Sequence, residues 1–160
     1  MNTRAVEITL HIGATHTEVR AVSTSVLSVA PTHLVLAIGS QHIAQHFFRH
    51  QPPTALEVEN AIQTVEDEVV RARALVPADT EIFCADAGAR AIATVAGVAP
   101  TGAQTLSLEQ VEHTFNRWVH LVEGRPQSQD ALPADPAFAA TLLILREFMH
   151  HLQIPAVHLT

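Results

Sequence analysis

Apolar and polar positions change their period several times along the chain, and each change marks an element. Ala5-Val6-Glu7-Ile8-Thr9-Leu10 and Val19-Arg20-Ala21-Val22 alternate with a period of two. That is the pattern of half-buried strands, and the small residues between them predict a hairpin with a tight loop, Leu10 to Glu18. Ser25 to Val29 and His33 to Ile38 are again β-rich, with Pro31 as a turn signal, so the chain opens as a three-strand antiparallel meander. The period then lengthens. After Gly39-Ser40, residues Gln41 to His50 set Ile43, Ala44, Phe47 and Phe48 on one helical side, and Pro52-Pro53 stops the helix. Thr54 and Glu57 have the spacing of a capping box, and Val58, Ile62, Val65, Val69 and Ala72 carry a long amphipathic helix to about Val76.

Beyond Pro77, Thr80 to Ala85 reads as a short buried strand that leads into a second small-residue turn, Asp86-Ala87-Gly88. Ala89 to Ala96 looks helical, and Gly97 to Thr105, with Pro100 and Gly102, reads as a loop. Ser107 and Gln110 form another capping box ahead of Leu108, Val111, Phe115, Trp118 and Val122, which recur at helical spacing. Gly124 to Pro136 is a connection too short for a domain linker. Phe138 to Leu152 is apolar almost all round and therefore predicts a helix buried on several sides, after which Pro155 to Leu159 can join the sheet in parallel. The order β-β-β-α-α-β-α-α-α-β predicts one α/β domain over residues 1–160. Its mixed sheet would carry the N-terminal meander, with helices packed on it, as in half of an actin-like (ribonuclease H-like) ATPase fold.

Composition narrows the partners. All nine basic residues are arginine, sixteen carboxylates oppose them, and the formal net charge is -7. A general nucleic-acid-binding role is disfavoured, because affinity for a phosphate backbone rests on a basic surface. The absence of lysine removes Schiff-base chemistry and the lysine of a P-loop. No apolar run is long enough to span a bilayer, so no membrane role is expected. A lone Cys84 and no leader pattern point to a cytoplasmic protein.

Several stretches, in order and spacing, resemble one family. His11-Ile12-Gly13-Ala14-Thr15-His16-Thr17-Glu18 is similar to a D-I-G-G-G-S-T-E loop, Ala37 to Ile43 to an L-x-L-G-x-x-x-L turn, and Pro52-Pro53-Thr54 to a D-P-P-T stretch. Cys84 to Ile92 resembles a G-x-S-G-T-x-x-A-L loop, Asp130 to Ala134 an R-A-D-x-L-P-A-G segment, and Leu152 to Val157 an L-G-x-x-x-V strand. These are motifs of the exopolyphosphatase and guanosine pentaphosphate phosphohydrolase (Ppx/GppA) family, in the second of its two actin-like domains. The resemblance implies a domain that faces another across a cleft where phosphoanhydride bonds are hydrolysed with a divalent metal. The first family domain, with its own D-x-G-S-N loop and catalytic glutamate, has no counterpart in these residues. His11 stands at the aspartate position, Ala14 and Thr15 at glycines, and His16 at the serine. Ala85, Ala87 and Ala89 replace the glycine, serine and threonine of the second loop. A metal-binding carboxylate and bare backbone are thereby lost.

The resemblance leaves Glu18 and His16 as the candidate catalytic residues, and Gly13, Thr15, Thr17 and Gly88 as candidate liners of a phosphate site. The expected function is a degenerate binding, regulatory or assembly module. The missing face would be covered by a second copy or another protein, and a phosphate-containing ligand is the expected small molecule. The alternative is a phosphoanhydride hydrolase that completes its site by oligomerisation or with a separately encoded first domain, in which case magnesium or manganese would be its cofactor. Elsewhere, His42, His46 and His50 recur every four residues, which could bring two of them to a metal but reads better as a solvated or interface face. His11 and His16 could shuttle protons. Glu57, Glu59, Glu66, Asp67 and Glu68 read as a solvent face, His150-His151 as cations at a helix's negative pole, and Cys84 as an inert core residue.

Overall fold

The computed structural model describes residues 6–23 and 32–160. The strands are β1 (Val6–Ile12), β2 (Thr17–Ser23), β3 (Thr32–Leu36), β4 (Ile82–Cys84), β5 (Gln104–Ser107) and β6 (Ala156–Leu159). The helices are α1 (Ser40–Phe47), α2 (Ala55–Val69), α3 (Ala87–Val95), α4 (Leu108–Val122) and α5 (Pro136–His151). One mixed sheet joins the strands in the order β3-β2-β1-β4-β6-β5. The expected meander is antiparallel, β4 lies parallel to β1 and to β6, and β5 closes the far edge antiparallel to β6.

Strand alternation divides the sheet into two unlike faces. Ile8, Leu10, Val19, Leu36, Ile82, Cys84, Leu106 and Val157 are buried on one of them. There α5 packs on β1, and α1, α2, α3 and α4 all pack against α5. This explains the all-round apolar character of α5: Leu142, Leu143, Ile144, Leu145, Phe148 and Met149 are wholly buried. Each such side chain contributes on the order of 1.5–3 kcal/mol by leaving water. Asp135 caps the helix by accepting from the Ala137 amide at 2.9 Å, and Pro136 occupies its first turn. Both expected capping boxes, Thr54 with Glu57 and Ser107 with Gln110, are formed. The opposite face carries Thr9, His11, Glu18, Arg20, Val22, His33 and Val35 and is at least partly open to solvent.

Four expectations about elements change. The stretch read as a loop through Thr105 contains the start of β5, an edge strand of four residues that buries only Leu106 and is too short for alternation to register. The helix from Thr54 ends at Val69 and tightens into a 3-10 turn over Val70–Ala74 ahead of Pro77, which offers no N–H. The helix after β4 begins two residues earlier, at Ala87, and α1 stops at Phe47 rather than His50. The β-rich reading of Ser25 to Val29 lies outside the described residues.

Candidate functional site

The β1–β2 loop is closed on itself and on the start of α1. Its Gly13 amide donates to the His16 carbonyl at 2.9 Å. A Cβ on Gly13 would lie 2.8 Å from that oxygen, so the turn needs glycine for close approach. The Ser40 amide donates to Gly13 O, and the Gln41 and His42 amides donate to Ala14 O at 2.9 and 3.0 Å. A helix start ordinarily offers such N–H groups to an anion, but here the loop carbonyls take three of them. Gly39 permits this contact, since a Cβ there would sit 2.4 Å from the Thr15 carbonyl carbon.

Along β2, Glu18 points to the open face, where its carboxylate is surrounded by donors. Arg20 Nη2 donates to Oε2 at 2.9 Å, His33 Nε2 lies 3.0 Å from Oε2, and His16 Nε2 lies 3.3 Å from Oε1. The Arg20 guanidinium, helped by the His16 and His33 rings and opposed by partial desolvation, holds Glu18 at about 2. A carboxylate with that proton affinity and those partners is a poor general base near neutral pH.

The neighbouring parallel strands β1 and β4 end side by side, and a second carboxylate sits there. Asp86, just before α3, leaves its own helix uncapped. Instead Oδ2 accepts from the Ile12 amide at 2.7 Å and Oδ1 lies 2.6 Å from His11 Nδ1. An ionised carboxylate only accepts, so Nδ1 of His11 is the donor in this pair. Between the two carboxylates runs an open groove of about 350 Å³, lined by Thr9, His11, Glu18, Arg20, Phe83 and Asp86 among others. Cross-strand pairing explains the set, because Thr9 faces both Arg20 and Phe83 while His11 faces Glu18.

Of the six candidate catalytic and phosphate-site residues, only Glu18 lines this groove, beside His11, which the sequence offered as a proton shuttle. His16 touches Glu18 from the loop and also meets Thr15 Oγ1 at 2.9 Å. Thr17 is wholly buried, with its hydroxyl donating to Ile38 O at 2.8 Å, so it ties β2 to the chain after β3 and does not face an external anion. Gly88 lies in the first turn of α3 with its Cα against α5, where an added Cβ would come 3.1 Å from Thr141 Cγ2. Gly13 is spent on the turn. Asp86, Arg20 and His33 are the residues that sequence reasoning missed. The local signal was an acidic residue at a helix start, just after a parallel strand, where ligands gather in open α/β sheets.

Neither groove carboxylate suits a magnesium or manganese ion. Such ions need free oxygens, whereas Glu18 is flanked by an arginine and two imidazoles and both oxygens of Asp86 are engaged. The histidines read as one face do not share it. His42 and His46 have ring centroids 4.4 Å apart, but His50 lies past the helix end and meets Glu57 Oε1 at 2.8 Å. The acidic run of α2 is likewise more than a solvent face: Glu57 completes the cap, Glu68 Oε2 accepts from the Ala37 amide at 2.7 Å, and Glu66 meets His151 at 3.1 Å. His151 sits in the last turn of α5, at the expected helix pole, and is also held there by side-chain carboxylates. Burial pushes the Cys84 thiol up to about 12, which suits an inert core residue.

No family model matches the chain, and no curated protein matches it in sequence. Solved structures do match in fold. The type II variant structure of the Aquifex aeolicus Ppx/GppA phosphatase superimposes with a TM-score of 0.75 at 15% identity, covering 100% of this chain and 54% of that one. An exopolyphosphatase-like protein gives 0.72 at 14% identity over 100% of this chain and 56% of the other. An exopolyphosphatase from Cytophaga hutchinsonii gives 0.66 at 13% identity, over 98% and 53%. The chain thus spans about half the length of the proteins it resembles. Its mixed six-stranded sheet with helices is the actin-like α/β fold of the Ppx/GppA phosphatases.

Proposed function

We propose that this chain is a Ppx/GppA-like domain that has given up hydrolysis and serves as a binding, regulatory or assembly module. One observation carries the reading: both carboxylates of the groove are already consumed, Glu18 by Arg20, His16 and His33, and Asp86 by His11 and the Ile12 amide. What remains is a groove with N–H groups from Arg20 and imidazoles from His11, His16 and His33 nearby. Such a groove suits a phosphate-containing ligand better than a metal-activated water. The open sheet face, with exposed Val22 and Val35 in place of a helix layer, is where a second copy or a separately encoded domain would sit.

Phosphate release from polyphosphate, guanosine pentaphosphate and ATP, with magnesium or manganese, tests the loss of chemistry. The expected result is no release by the chain alone. Tripolyphosphate should raise the melting temperature, and Arg20→Gln should remove that rise. Size-exclusion chromatography with light scattering should show a dimer or a complex. Metal-dependent release that disappears in Glu18→Gln would overturn the reading in favour of a hydrolase completed across an interface.

A further inference from the structure

A different cluster, in the helical layer and away from the groove, has the composition of a cation site. Glu147 and His151 lie one turn apart on α5, and Glu66 reaches them from α2. One ligand atom from each lies within 4.8 Å of the others. His151 Nε2 is 3.0 Å from Glu147 Oε2 and 3.1 Å from Glu66 Oε1. An imidazole nitrogen carries at most one proton, so a single N–H is shared between two carboxylates. The Glu147 side chain is 0% exposed, and its other oxygen accepts from Arg146 at 2.5 Å, which fixes the direction in which Oε2 points.

We propose that Glu66, Glu147 and His151 form a binding site for a borderline divalent cation such as zinc, which takes the place of that shared proton. Two carboxylates and one imidazole are an accepted donor set for zinc. Ligand atoms around a tetrahedral ion with arms of about 2.1 Å stand about 3.4 Å apart, so contacts of 3.0 and 3.1 Å need only a small opening. Charge favours the exchange as well. The two glutamates outnumber the one guanidinium in direct contact with them, and a divalent ion offsets their charge in a partly buried setting. Arg146 plays the outer role of holding a ligating carboxylate in place. His151 lines a surface groove of about 450 Å³ with Arg73, Pro77 and Gln153, and the Glu66 side chain is about one-third exposed. Water from that side would complete the coordination.

The test uses the whole chain, stripped with chelator, and titrates zinc by calorimetry, with cobalt in parallel for its visible absorption. Wild type should bind one equivalent of zinc and rise in melting temperature. Glu66→Gln, at a partly exposed position, and His151→Gln, which keeps a donor for Glu147, should each weaken binding by at least about tenfold, with unchanged far-ultraviolet circular dichroism. His46→Asn removes the tilted His42–His46 ring pair on α1 and should leave binding intact. Absence of stoichiometric zinc binding, binding unaffected by both Glu66→Gln and His151→Gln, or binding lost with His46→Asn would each overturn the proposal. None of these readouts depends on the groove or on phosphatase activity.

Discussion

Two places in this molecule bring glutamate, histidine and arginine together, and they differ in the ratio. On the open sheet face one carboxylate, Glu18, meets Arg20, His16 and His33. In the helical layer two carboxylates, Glu66 and Glu147, meet one histidine and one arginine. The first cluster is donor-rich and suits an anion; the second is acceptor-rich and suits a cation. The residue types are the same, so the count of charges and the depth of burial set them apart. Depth also decides the energetics: an exposed cluster is screened by water, whereas a buried carboxylate must keep its partners.

The largest expected effect breaks the buried side of the comparison. Glu147→Ala removes a fully buried carboxylate and strands its partners, and should cost about 3 kcal/mol in urea unfolding. Glu18→Ala should move the denaturation midpoint far less. Next comes the link between the groove and the sheet. Thr17→Val keeps shape but loses the bond to Ile38 O, and should cost about 1–2 kcal/mol by the same measurement. A third substitution asks whether charge ratio alone sets the ligand. His11→Asp puts two carboxylates side by side at the ends of β1 and β4, so the variant's melting temperature should rise with added magnesium, and wild type should not respond.

The smallest effect is a titration. The folded Glu18 value, about 2, lies below its ordinary 4.5, so its contribution to stability is present above about pH 4.5 and is lost as the pH falls toward 2. Arg20→Gln removes the largest cause and should move the Glu18 carboxyl titration, followed by carbon NMR, upward toward 4.5. A Glu18 curve unmoved by Arg20→Gln would show that the donors on this face do not act as a unit.

Much of the scaffold was legible because local chemistry writes it: alternation in β1 and β2, the capping boxes at Thr54 and Ser107, and the apolar run of α5. β5 escaped because four residues with one buried position carry no period. The candidate site was legible only in part. Glu18 was found because the loop around it resembles a family motif, but Asp86 was read only as part of a small-residue turn, and Thr17, assigned to a phosphate site, is buried with its hydroxyl bonded to Ile38 O.

By itself, the sequence determined the elements other than β5, their order and which face of each is apolar, since these follow from spacing within a few residues. Only the tertiary structure decided the chemistry. His11 meets Asp86 across 75 positions, and His151 meets Glu66 across 85. Those pairings depend on the parallel placement of β1 beside β4 and on the docking of α2 against α5, both of which are set by packing of the common core and carry no local signature.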